Sequence, residues 1–142
     1  MSKKKICIID DEPLILEMYK IKLEEEGYEV IAAGDGSAGF SAIKKEKPDL
    51  ALIDIVMPNE DGLSLMRRIK NDPEISATPI VVLTNLDDAQ TRKSACQLGA
   101  LFYLVKPHFM PSQLAKIVKE ILGFNLKHPE FLACNKACLP VE

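Results

Sequence analysis

The chain has 142 residues, 47 % of them apolar and 27 % charged, with a formal net charge of −3. That suffices for one domain with a proper core and little else, and it is too apolar for a disordered chain. The acidic balance argues against direct nucleic-acid binding, which needs a basic face, and no run approaches the roughly 18 apolar residues of a membrane span.

Lys3, Lys4 and Lys5 read as the solvated lead-in to a first strand, Ile6-Cys7-Ile8-Ile9, which Asp10 and Asp11 stop. These few apolar residues fall short of the hydrophobic region of a secretory signal, so a cytoplasmic protein is expected. Leu14, Ile15, Met18 and Ile21 then mark one face of a first helix, with Pro13 in its first turn and Gly27 after its end. Tyr28 to Ala33 is a second strand, and Glu29 within it predicts a sheet edge. Phe40 and Ile43 mark a second helix.

Leu50 to Asp54 is the third strand, an apolar run that ends on a carboxylate. Leu63, Met66 and Ile69 mark the third helix, and Ile80 to Thr84 is the fourth strand. Asp88 to Leu98, closed by Gly99, is the fourth helix, and Leu101 to Val105 the fifth strand. Leu114, Ile117, Val118, Ile121 and Leu122 give the clearest helical face. The sustained pattern ends there, which divides the chain into a domain over 1–123 and a tail or linker over 124–142.

Strands alternating with helices imply βαβ units and a parallel sheet. Strands one, three, four and five are unbroken apolar runs, as expected of strands covered on both faces. The fold class is therefore α/β. Right-handed crossovers give a doubly wound five-stranded sheet of flavodoxin-like order 2-1-3-4-5, with the polar second strand at an edge.

A parallel sheet collects its C-terminal strand ends on one rim, where ligands bind. Here the strands end in Asp10-Asp11, Asp54, Thr84 and Lys106-Pro107. Two carboxylates about 4 Å apart repel by roughly 4 kcal/mol at an effective dielectric near 20. Three need more positive charge than one lysine supplies. Oxygen ligands without histidine select a hard cation such as Mg²⁺. A carboxylate beside Mg²⁺, a hydroxyl and a lysine can act as nucleophile toward a phosphoryl group, giving an aspartyl phosphate.

At this point the chain resembles the receiver domain of two-component response regulators. IIDDEP, ALIDIVMPNEDGLSL, PIVVLT and LFYLVKP occur in the family's order and spacing, and the resemblance covers about residues 4–122. It implies that Asp54 is the phosphoacceptor and that Asp10 and Asp11 bind Mg²⁺ with Asp54 and the main-chain carbonyl of Val56. It implies that Thr84 is the switch hydroxyl, Lys106 the phosphate-contacting lysine and Tyr103 the switch aromatic, and that the Lys106-Pro107 bond is cis. Pro58 and Gly62 match the turn after the acceptor. The phosphoryl group is expected from a sensor histidine kinase or a phosphotransfer protein. The switched surface, fourth helix to fifth strand to fifth helix, is expected to meet a downstream protein or output domain. Dimerisation through that face stays open, as does whether the chain is a stand-alone receiver or a fragment.

Such a protein catalyses its own phosphorylation and dephosphorylation and is a phosphorelay switch rather than a metabolic enzyme. The alternative is a docking module of the same fold that needs no phosphorylation. Asn85 replaces the smaller residue usual in the family. Val56 and Leu86, two residues past Asp54 and Thr84, are apolar where a polar side chain would orient water, so slow self-dephosphorylation is expected. Among four cysteines no disulfide framework is implied. Zinc binding by His128, Cys134 and Cys138 is not expected, because a fourth ligand is missing.

Overall fold

The structure is a computed structural model that describes residues 3–106 and 111–123. Five strands and five helices alternate: β1 (Lys5–Ile9), α1 (Pro13–Glu25), β2 (Glu29–Ala33), α2 (Gly36–Glu46), β3 (Leu50–Ile53), α3 (Gly62–Asn71), β4 (Ile80–Thr84), α4 (Ala89–Gln97), β5 (Phe102–Val105) and α5 (Pro111–Leu122). The sheet is wholly parallel in the order β2-β1-β3-β4-β5, so the expected class and strand order hold and the polar β2 lies at an edge.

Residues of opposite parity along each strand enter two separate cores. Cys7, Ile9, Ile53, Val82 and Tyr103 pack with α2, α3 and α4 through Ile43, Met66, Ile69 and Ala95. Ile6, Ile8, Leu52, Val81 and Leu83 pack with α1 and α5 through Tyr19, Leu23, Leu114, Val118 and Ile121. Coverage on both faces explains why the inner strands carry no polar alternation. Burying each such Leu, Ile or Val stabilises by roughly 1.5–3 kcal/mol, which holds the rim of the sheet as a rigid platform.

Aspartates set three helix starts. Asp35, Asp61 and Asp88 accept from the amides of Ala38, Ser64 and Thr91 at 2.7, 2.8 and 2.9 Å, satisfying N–H groups that a helix leaves open in its first turn. Helix α4 stops at Gly99, whose φ of +96° an L side chain rarely adopts.

Helix α1 departs from the sequence reading. Of the four residues expected to mark its buried face, Leu14, Met18 and Ile21 are 82 %, 46 % and 49 % exposed and only Ile15 packs partly against the core, while Tyr19 and Leu23 are buried. The helix carries two apolar stripes, and the one containing the amphipathic Tyr19 faces the sheet. The periodicity of Leu14, Met18 and Ile21 is real, but it marks the solvent side.

Candidate functional site

Register brings the polar strand ends together. Ile9 lies opposite Ile53, so Asp10 and Asp54 leave β1 and β3 side by side. Thr84 lies opposite Val105, so Lys106 follows directly beyond it. Asp10, Asp54, Thr84 and Lys106 are all buried. A cleft of about 300 Å³ opens above them, lined by Asp11, Glu12, Asp54, Val56, Thr84, Asn85 and Leu86.

One local device recurs at three strand ends. Asp10 Oδ1 accepts from the amide of Glu12 at 2.9 Å. Asp54 Oδ1 accepts from Val56 at 3.4 Å, and Thr84 Oγ1 accepts from Leu86 at 3.3 Å. Each side-chain oxygen bonds the amide two residues on, which turns the chain out of the sheet and fixes the oxygen at the rim. A carboxylate ends the apolar run of β3 because it serves both this turn and a cation.

That cation is Lys106, 6 % exposed. Its Nζ lies 2.5 Å from Asp10 Oδ2, 3.2 Å from Asp54 Oδ2 and 3.6 Å from Glu12 Oε1. Burial pulls the Lys106 ammonium down, but the hydrogen bond to Asp10 and the charges of Asp54 and Asp10 outweigh it and hold it above its ordinary value. Burial pushes the Asp10 carboxyl up, against the pull of Lys106. One ammonium thus faces three carboxylates, and the local charge is negative.

Oxygens of Asp10, Glu12 and Asp54 lie within 4.8 Å of one another. The donor set is all oxygen and short of positive charge, which fits Mg²⁺. Asp11, expected as a ligand, lines the cleft without its carboxylate joining that group. The sequence reading missed Glu12. It occupies the cap position of α1, yet its side chain caps nothing there, and Pro13 needs no cap donor at its own nitrogen. A cap carboxylate left idle beside two acids was the available signal.

Gly62 keeps the turn after Asp54 closed. Its amide donates to Ile55 O at 2.8 Å, and a Cβ there would stand 2.3 Å from the carbonyl oxygen of Asp54. Pro58 lies in the connecting turn, where Asn59 takes a left-handed φ of +71°.

Tyr103 is turned inward. It is 1 % exposed, its phenol donates to Leu86 O at 2.5 Å, and the Arg92 guanidinium lies 5.3 Å above its ring. Burial pushes the phenol up to about 12, with Arg92 pulling the other way. Arg92 also pairs with Asp87 at 3.1 Å. Helix α4 buries only Ala95 completely, in line with its few large apolar residues. Asn85 Nδ2 donates to Glu12 Oε1 at 3.2 Å across the cleft.

Pro107, and with it the Lys106-Pro107 bond, lies outside the described residues, as do His128, Cys134 and Cys138. Cys7 is a free buried thiol. Cys96 is not free, so the expectation of no disulfide holds for Cys7 and not for Cys96.

The family model of the response regulator receiver domain matches residues 6–119. The probable transcriptional regulator ycf27 of Porphyridium aerugineum is 37 % identical over 122 residues, covering 86 % of this chain and 49 % of that protein. Protein PilH of Pseudomonas aeruginosa is 39 % identical over 105 residues, 72 % of this chain and 85 % of PilH. A solved response regulator receiver domain protein (CheY-like) from Methanospirillum hungatei matches with a TM-score of 0.79 at 32 % identity, covering 86 % of this chain and 95 % of that one. The chain thus spans about half the length of the ycf27 relative and most of PilH.

Proposed function

Because the chain belongs to the response regulator receiver domain family, we propose that Asp54 accepts a phosphoryl group from a sensor histidine kinase or phosphotransfer protein. The observation that carries this reading is the meeting of buried Asp54 with Lys106 Nζ at 3.2 Å in a cleft that Thr84 also lines.

In this reading Asp54 attacks phosphorus, the donor's N–P bond breaks, and the electron pair returns to the donor imidazole. Lys106 and the Thr84 hydroxyl meet the charge on the phosphoryl oxygens. Asp10, Asp11, Asp54 and the Val56 carbonyl would hold Mg²⁺, whose charge offsets that of the phosphoryl group. Glu12 adds a further carboxylate to the same group.

Leu14, in the first turn of α1 just after Glu12, is 82 % exposed, and exposed Met18 and Ile21 continue the apolar surface along that helix. In this reading that surface is offered to the donor protein. The added phosphoryl charge, roughly −2 at neutral pH, would be read by Thr84 and Tyr103 and passed as a population shift to the α4-β5-α5 face. Val56, 59 % exposed, and Leu86 put no polar side chain over Asp54 from their positions, which supports a long-lived phosphoryl group. The product is a signalling switch that acts through a downstream protein or output domain.

Intact-mass measurement after incubation with acetyl phosphate and Mg²⁺ tests the reading. Addition of one phosphoryl mass to the wild type, and none to Asp54→Ala, is expected. Equal labelling of both, or of neither, refutes it.

A further inference from the structure

The cleft is spanned by a side-chain bridge. Glu12 leaves the β1-α1 turn and Asn85 the β4-α4 turn, 73 residues apart, and Asn85 Nδ2 meets Glu12 Oε1 at 3.2 Å. The same Glu12 oxygen lies 3.6 Å from Lys106 Nζ. Lys106, Glu12 and Asn85 therefore form a chain across the strand ends. Glu12 and Asn85 are exposed, whereas Asp54 is 3 % exposed, so the bridge lies on the solvent side of the acceptor.

Two further features make the bridge specific. The amide of Glu12 is held by Asp10 Oδ1 at 2.9 Å, and its carboxylate is spared from capping α1. Asn85 follows directly on Thr84, whose oxygen holds the loop through Leu86. The backbone at both ends is thus anchored by residues of the rim itself.

We propose that the Glu12–Asn85 bridge is a gate over the phosphoacceptor cleft that slows the entry of small molecules to Asp54, water and low-molecular-weight phosphodonors alike. The proposal rests on the phosphoacceptor reading. The gate leaves open the route by which a protein donor can displace it, since both partners are at the surface and their bond is a single exposed one. Asn85 is a positioning residue here, acting on access and not on the reacting atoms; Glu12 also belongs to the carboxylate group that would hold Mg²⁺, so the Asn85 variants carry the test.

The consequence is a paired change. Water attacking the aspartyl phosphate and acetyl phosphate approaching the free carboxylate use the same opening. Breaking the bridge raises both rates by a similar factor, about three- to tenfold, the scale set by one hydrogen bond at an exposed site. A purely electrostatic role for Glu12 would move the two rates differently, because only the donor is an incoming anion.

The test is intact-mass kinetics of phosphorylation by acetyl phosphate with Mg²⁺, and of subsequent decay, on wild type, Asn85→Ala, Asn85→Leu, Glu12→Ala and the Glu12→Ala/Asn85→Ala double variant. Circular dichroism checks each fold, and Asn85→Leu keeps the side-chain bulk while removing the donor. Both rates should rise together in Asn85→Ala and Asn85→Leu, and in the Glu12→Ala background the further change Asn85→Ala should have no effect. Unchanged rates, wild-type rates in Asn85→Leu, or additive effects in the double variant overturn the gate while leaving Asp54 as acceptor. A folded wild type that gains no phosphoryl mass at all overturns the acceptor reading and the gate with it.

Discussion

Thr84 and Tyr103 hold opposite sides of one residue. Thr84 Oγ1 takes the N–H of Leu86 at 3.3 Å, and the phenol of Tyr103 donates to the Leu86 carbonyl at 2.5 Å. The loop between β4 and α4 is therefore clamped from the rim on one side and from β5 on the other. Any force on the Thr84 hydroxyl reaches Tyr103 through a single residue, which gives the proposed switch a short physical route.

The clamp predicts coupled energetics. Tyr103→Phe should lose about 1 kcal/mol in urea denaturation, the worth of one buried hydrogen bond. Combined with Thr84→Val, the losses should fall short of additive by roughly 0.5 kcal/mol or more, because both bonds restrain the same loop. Strict additivity would mean that the two side chains do not communicate through Leu86.

Alkaline pH gives an independent check on Tyr103. Its folded value is raised from 10.0 to about 12, so the native state holds the phenol proton more tightly than the unfolded chain. That stability is complete below pH 10 and is lost as pH rises through about 12. The advantage of wild type over Tyr103→Phe should shrink across this window and stay constant below it. Denaturation at stepped pH measures it.

Asp10 should be a destabilising residue in the absence of metal. Burial raises its carboxyl, so the native state binds that proton more tightly than the unfolded chain does. The cost appears as pH rises above the ordinary carboxylate range and is present at neutral pH. Asp10→Asn should then raise the Tm of the metal-free protein at pH 7. The difference should fade in acid. Mg²⁺ should raise the Tm of wild type by binding only the folded state, and much less that of the variant.

Gly62→Ala should disturb Asp54, the proposed acceptor, directly. The new methyl would meet the Asp54 carbonyl oxygen at 2.3 Å, and backbone cannot swing aside as a long side chain can. A loss of about 2 kcal/mol or more is expected, together with slower phosphorylation at Asp54. A neutral substitution would show that the turn has slack.

Under the proposed function, the lifetime of the phosphoryl group should depend on Val56 and Leu86. Replacing Val56 with Asn and Leu86 with Glu adds polar side chains over Asp54 that can orient water. Self-dephosphorylation should quicken by an order of magnitude or so, on the scale of general base assistance. A wild-type half-life of seconds in Mg²⁺ would contradict the reading.

The sheet was legible because its inner strands carry runs that only two-sided burial explains. Ile6 to Ile9, Leu50 to Ile53 and Ile80 to Thr84 appear as read to within a residue. Asp54, Thr84 and Lys106 were legible as strand-end polar groups, since strand order alone brings them to one rim. Glu12 was not, because its role depends on a turn at Asp10 that aims the side chain, and turn geometry leaves little trace in composition. The buried face of α1 was misread for a related reason. With Leu14, Ile15, Leu16, Met18, Tyr19, Ile21 and Leu23 in one helix, periodicity permits two faces, and only packing against the sheet chooses the one with Tyr19 and Leu23.

The central claim is that occupancy of Asp54 is felt at Thr84 and Tyr103. Amide NMR during a beryllofluoride titration, with and without Mg²⁺, on wild type and Asp54→Ala measures it most directly. Mg²⁺-dependent shifts at Thr84, Leu86 and Tyr103 that vanish in Asp54→Ala are the predicted result. A folded wild type with no response at these residues would contradict the phosphoacceptor account and favour docking that needs no phosphoryl group.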